Sequence, residues 1–207
     1  LNPDKGYVVT ANQPVVSPEF PYLIHRDYNH GYRAKRIQQM IEEAPGGITP
    51  EYVATMHGDA VNLSATEILP ALLAPPVLQL ATAEPETANP ESEQSEPAAR
   101  AGISEVEAQT AAAILGQWDL VMRTESPAPA LYAFIWQALL EETFGDEIPD
   151  DLWKRERLLG GTSRIQSAIA LLIQDPENPW WDNIDTPDMR ETRDDILAAA
   201  FVRGWTA

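Results

Sequence analysis

The feature that most limits how this 207-residue chain can fold is a series of apolar faces at helical spacing, each cut off by proline or glycine. Ile37, Met40, Ile41 and Ala44 share one such face, and Pro45-Gly46-Gly47 ends it. Thr49-Pro50 restarts a helix, because threonine can cap and proline suits the first turn. Val53, Met56, Ala60 and Leu63 continue from it, followed by Ile68, Leu69, Leu72 and Leu73 before Pro75-Pro76. Ser104 and Glu107 have capping-box spacing and open a helix with Ala111, Ile114, Leu115 and Trp118 on one side. Three further faces are Leu131/Phe134/Ile135/Ala138, Ile165/Ala168/Ile169/Leu172/Ile173 (begun by Thr162 or Ser163) and Ile196/Leu197/Ala200/Phe201. The expectation is a mainly α fold of six or seven helices with one or two short strands.

Two segments break the helical pattern. Gly6-Tyr7-Val8-Val9-Thr10-Ala11 is rich in β-branched residues and predicts a short strand, which needs a ladder partner elsewhere. Residues 81–103 contain the run Ala83 to Pro97, acidic, proline-rich and without aromatics, which predicts a flexible surface loop most mobile over 84–97. The resulting organisation is a strand over 1–13, a helical region over 14–80, the acidic loop over 81–103 and a second helical region over 104–207, all in one domain.

Charge and residue usage narrow the function classes. The net charge of -18 repels phosphate backbones and anionic lipid, so neither a nucleic acid nor a membrane is an expected partner. With no cysteine there is no disulfide, thiolate metal site or cysteine nucleophile. No apolar run has the length of a membrane span, and no signal peptide is visible. The first residue is Leu1 rather than Met, which suggests a piece of a longer protein.

Few side chains stand out chemically. His25, His30 and His57 are not at metal-ligand spacing, and each reads as a structural or surface residue. His57 and Asp59 are two apart and would face different ways on a helix. Asp150-Asp151 and Asp194-Asp195 precede or open helices, where negative charge complements the helix dipole. Gly46-Gly47 and Gly160-Gly161 are helix punctuation rather than a phosphate loop, and the six tryptophans read as core and interface anchors.

Five segments, taken in order, carry a family resemblance. They are Gly6-Tyr7-Val8-Val9-Thr10-Ala11-Asn12-Gln13, Tyr32-Arg33-Ala34-Lys35-Arg36-Ile37, and Thr49-Pro50-Glu51 through His57-Gly58-Asp59 to Leu69-Pro70-Ala71-Leu72-Leu73. The last two are Leu115-Gly116-Gln117-Trp118-Asp119 and Pro179-Trp180-Trp181-Asp182 with Thr186, Glu191-Thr192 and Asp194-Asp195. Together they resemble the later part of the catalytic chain of penicillin amidases and acyl-homoserine-lactone acylases, which are N-terminal-nucleophile hydrolases; the acidic loop reads as an insertion in that pattern.

The resemblance implies a helical part of an α+β hydrolase that cleaves linear N-acyl amide bonds. In that family a serine exposed by self-cleavage attacks the amide, with its own α-amino group as base. Asn12 matches the family asparagine that helps to bind the oxyanion, and Arg33 matches an arginine that positions the site. Leu1 cannot be the nucleophile, since the mechanism needs a terminal Ser, Thr or Cys. The implied partners are the rest of the parent amidase (its small chain and the N-terminal part of its large chain) and a small N-acyl substrate. The implied location is extracytoplasmic. Family members often bind structural calcium, but its acidic ligand is not evident where the chain reads Tyr22-Leu23-Ile24 after Pro21, so no metal and no cofactor is assigned. The competing expectation is a non-catalytic, acidic helical interaction domain.

Overall fold

The computed structural model describes residues 3–25, 28–83, 102–149 and 163–207, with the side chains of 163 and 164 left aside. Its described part is mainly helical: α1 (Tyr32–Glu42), α2 (Pro50–His57), α3 (Ala65–Leu72), α4 (Pro75–Thr82), α5 (Glu105–Gly116), α6 (Pro127–Phe144), α7 (Ser163–Leu172), a 3-10 turn (Pro179–Trp181) and α8 (Arg193–Thr206).

Local chemistry sets most of the helix starts. Thr49 accepts from Tyr52 N at 3.2 Å ahead of Pro50. Ser104 and Glu107 form a reciprocal box, with Glu107 N donating to Ser104 Oγ at 3.3 Å and Ser104 N to Glu107 Oε2 at 2.9 Å. Ser126 accepts from Ala128 N ahead of α6. Thr192 N donates to Asp195 Oδ2 at 2.9 Å at the start of α8, which gives the Asp194-Asp195 pair a structural task.

The core is one cluster drawn from α3 to α8. The α6–α8 pair is its centre, with α4 and α3 also against α8 and α5 against α6. Ile135, Leu139 and Leu140 on α6 and Ile196, Leu197, Ala200 and Phe201 on α8 are fully buried. Each large side chain so buried contributes about 1.5–3 kcal/mol relative to exposure. The helices approach closely at Gly204, where an added Cβ would stand 2.6 Å from Ile135 Cα and N. Arg203 then clamps the pair from outside, donating to Glu142 Oε1 and Glu141 Oε2 at 2.6 Å each. Trp181, the last residue of the 3-10 turn, is buried, its indole N–H donating to Asp175 O at 2.9 Å.

Several expectations meet a different local structure. Residues 7–10, expected as a strand that needs a ladder partner elsewhere, have no such partner among the described residues, and a lone strand cannot hold itself. The only strand-like pairing among the described residues is an isolated antiparallel bridge between Val61 and Val121. The face running from Val53 to Leu63 is not one helix. Gly58 ends α2, and residues 60–62 turn to that bridge, with Asn62 N donating to Leu120 O at 2.8 Å and Met122 N to Ala60 O at 2.9 Å. Phe134, expected on a buried face, is 52% exposed. At the acidic segment, α4 runs to Thr82 and Ile103 is buried, its N–H donating to Ala81 O at 3.0 Å. The expected mobility of 84–97, the Asp150-Asp151 pair and Gly160-Gly161 lie outside the described residues.

Candidate functional site around the Asn12 turn

Asn12 lies in a tight turn with φ 66°, the left-handed region that asparagine tolerates better than most residues. The turn is held by two sets of contacts. Gln13 folds back along its own chain, accepting from Ala11 N at 2.6 Å and donating to Val9 O at 2.9 Å. Asn29 N donates to Asn12 O at 2.8 Å, which joins the turn to the segment leading into α1. Ala11 is buried beneath, whereas the Asn12 side chain is exposed and has no hydrogen-bond partner among the described residues. A side-chain amide so placed has its N–H groups available to an incoming acceptor.

The segment that receives the turn is equally fixed. Gly31 adopts φ 103°, a conformation that a side chain would strain, and a Cβ there would lie 3.7 Å from Gln13 Cβ. Lys35 N donates to Gly31 O at 2.8 Å as α1 begins. Tyr32 donates its hydroxyl to Glu67 Oε2 at 2.8 Å, and His30 Nε2 approaches the same oxygen at 3.4 Å, the two rings lying 4.6 Å apart. Burial, and then the Glu67 carboxylate, push the Tyr32 hydroxyl well above its usual range, so it stays a donor. One turn further, Arg36 makes a two-pronged pair with Asp59 at 2.9 and 2.6 Å, which holds the Asp59 carboxyl below its usual range.

Arg33 is exposed on the first turn of α1 and has no ion-pair or hydrogen-bond partner among the described residues. It stands between two anchored neighbours, Tyr32 and Ala34, the latter buried. The structure thus carries Asn12 and Arg33 on two chain segments joined at Asn12–Asn29. Sequence reasoning passed over Glu67 and treated His30 as a loop residue; no local pattern marks either, since their partners are distant in the chain.

Glu191 is buried and accepts from Asn183 N at 3.2 Å and Thr186 Oγ1 at 2.8 Å, organising the loop before α8. An open groove beside Val106, Ala113 and Ile114 on α5 is lined by apolar and neutral polar side chains. Among the described residues no group of three His, Asp or Glu is placed to hold a metal ion. No single described helix is long and apolar enough to cross a membrane; the pair α3–α4 comes nearest but is bent by 59°.

Residues 1–206 match the family model described as Penicillin amidase, which is nearly the whole chain. The chain belongs to the penicillin amidase family. It is therefore a member of an acylase-type hydrolase family acting on amides, with the mainly helical architecture described above. No curated protein and no solved structure matches it.

Proposed function

We infer that this penicillin-amidase-family chain is the later part of a larger N-acyl amide hydrolase, whose terminal serine nucleophile lies outside these 207 residues. Asn12 is its contribution to the chemistry. When serine adds to the amide carbonyl, negative charge appears on oxygen, and a pre-positioned N–H stabilises that charge without reorganising. The observation that carries this reading is the Asn12 turn: an exposed left-handed residue whose carbonyl accepts from Asn29 N and whose preceding residues Val9 and Ala11 are bound by the Gln13 side chain. Rigid mounting is what such a donor requires, since a loosely held dipole must be ordered during the reaction. Arg33, on the first turn of α1, acts as a positioning charge, and the helices supply part of the acyl-pocket wall. The remainder of the amidase is the partner. In support, Val8, Val15, Tyr22, Leu23 and Ile24 are all more than half exposed, apolar side chains that suit a protein surface better than water.

The test uses processed amidase with a confirmed free terminal serine, because self-cleavage passes through a similar tetrahedral intermediate. Asn12→Ala is expected to lower kcat by about two to three decades, roughly 3–4 kcal/mol, with KM little changed. Turnover within about threefold of wild type would reduce Asn12 to a turn residue. The 207-residue chain alone is expected to release no burst of acyl product from a chromogenic amide, for want of a terminal nucleophile.

A further inference from the structure

We propose that Glu67 is a positioning residue for the Asn12 turn, tethering the chain on both sides of Gly31 so that the oxyanion donor is held at a fixed height. The proposal rests on the reading of Asn12 given above and extends it to a residue on a different helix. The turn bearing Asn12 has its long-range backbone anchor at Asn29 N. Asn29 is followed by His30, Gly31 and Tyr32, a stretch with a left-handed glycine at its centre and therefore few local means of staying rigid. What fixes it is Glu67 on α3. A single oxygen, Oε2, receives the Tyr32 hydroxyl at 2.8 Å and faces His30 Nε2 at 3.4 Å. The two rings lie against each other at 4.6 Å, so Tyr32 is bound to the Glu67 carboxylate and His30, before Gly31, packs beside it.

The helix that presents Glu67 is itself firmly seated. Ala65, Ile68, Leu69 and Leu72 of α3 are buried in the core, so Glu67 projects from a fixed support toward the thinly packed N-terminal region. The chain of restraint runs from the core through α3 and Glu67 to His30 and Tyr32, then through Asn29 to Asn12. Glu67 touches neither substrate nor oxyanion in this scheme and acts through Asn12. The same tether orients the start of α1 and hence Arg33.

The experiment is a double-mutant cycle in the processed, full-length amidase. Glu67→Ala, and separately Tyr32→Phe, which removes only the hydroxyl, are expected to lower kcat by about tenfold, within the roughly 10²-fold that a misplacement of about 1 Å can cost. KM should stay within about twofold, since the donor acts on charge absent from the ground state. Glu67→Gln should keep kcat within about threefold of wild type, because the amide oxygen can still accept from the Tyr32 hydroxyl. On an Asn12→Ala background, Glu67→Ala and Tyr32→Phe should each cost less than about twofold more, as expected of residues that act as a unit. Three results would overturn the tether while leaving Asn12 intact as the donor: wild-type kcat in both variants while Asn12→Ala is crippled, full additional losses on the Asn12→Ala background, or Glu67→Gln as impaired as Glu67→Ala. Wild-type turnover in Asn12→Ala alone would remove the function reading itself, and the tether with it.

Discussion

The two ends of this chain are built on opposite terms. From α3 onward the described helices share a dense core in which Phe201, Leu139, Leu140, Ile196 and Leu197 are wholly enclosed. Among the described residues between 3 and 58 only Ala11 and Ala34 are buried, and this region carries individual polar contacts: Tyr7 with Glu42, Tyr52 OH with Met40 O, Arg36 with Asp59, and Tyr32 with Glu67. The contrast teaches where folding free energy and chemistry reside. Burial of large side chains stabilises the second region, whereas single hydrogen bonds contribute only about 0.5–1.5 kcal/mol each, or about 1.5–3 where a charged group takes part. The candidate catalytic side chains are in the region that cannot hold its shape by packing alone. That arrangement fits a segment completed by contact with another part of an enzyme.

Mutation should separate the two regions by size of effect. The largest expected loss is at Phe201, fully buried on α8: Phe201→Ala should lower the unfolding free energy by about 3–5 kcal/mol in urea titration. A loss below about 1 kcal/mol would mean that the dense region is not the source of stability. Next is Gly204→Ala. Its Cβ would stand 2.6 Å from Ile135 Cα, so α6 and α8 must part, at an expected cost of about 1–3 kcal/mol. An unchanged Tm would show that the two helices have slack at their crossing.

A smaller effect probes the rim of the dense region. Burial, and then the neighbouring Asp146, push the Glu147 carboxyl up to about 7, and its Oε2 has no hydrogen-bond partner among the described residues. Because the folded-state value is raised, the folded protein holds the proton more tightly than the unfolded chain. Stability contributed by this group is full below the unfolded carboxylate range, falls as pH rises, and is lost above about 7. Glu147→Gln should therefore stabilise at pH 8 by on the order of 1 kcal/mol, the shift being discounted for partial exposure, and change little at pH 4. Equal effects at both pH values would contradict it.

The smallest effect belongs to the N-terminal region. Leu23→Ser, at a side chain 70% exposed, should move the stability of the isolated chain by no more than about 0.5 kcal/mol. The same change should weaken association with the rest of the amidase, read by co-purification. Destabilisation of the isolated chain comparable to that of Phe201→Ala would erase the distinction between the regions.

What could be read from the sequence followed the range of the interactions responsible. Ser104 with Glu107, Thr49 with Pro50, and the α8 face of Ile196, Leu197, Ala200 and Phe201 are local patterns, and each has its expected place. The break after Gly58 was not legible, because it depends on Arg36 taking Asp59 from 23 residues away and on the Val61–Val121 bridge. Val8-Val9-Thr10 has strand chemistry, yet pairing depends on a neighbour that composition cannot supply. Asn12 was legible as a candidate only through the family resemblance, since an asparagine before Gln-Pro is otherwise an ordinary turn residue. Glu67 was hidden for a further reason: it sits among Ile68, Leu69 and Leu72, where the pattern directs attention to the apolar positions.

The side chain of Gln13 has one more consequence. In a β-ladder, residues of one parity direct both backbone groups to the same neighbour. By bonding to Val9 O and Ala11 N, Gln13 occupies the odd-numbered flank of its own segment with a surrogate peptide group. A foreign strand would have to enter from the even-numbered flank, at Val8 and Thr10. The segment can then close the margin of a sheet but cannot pass the ladder on to a third chain, which makes it a terminal board and not a tile.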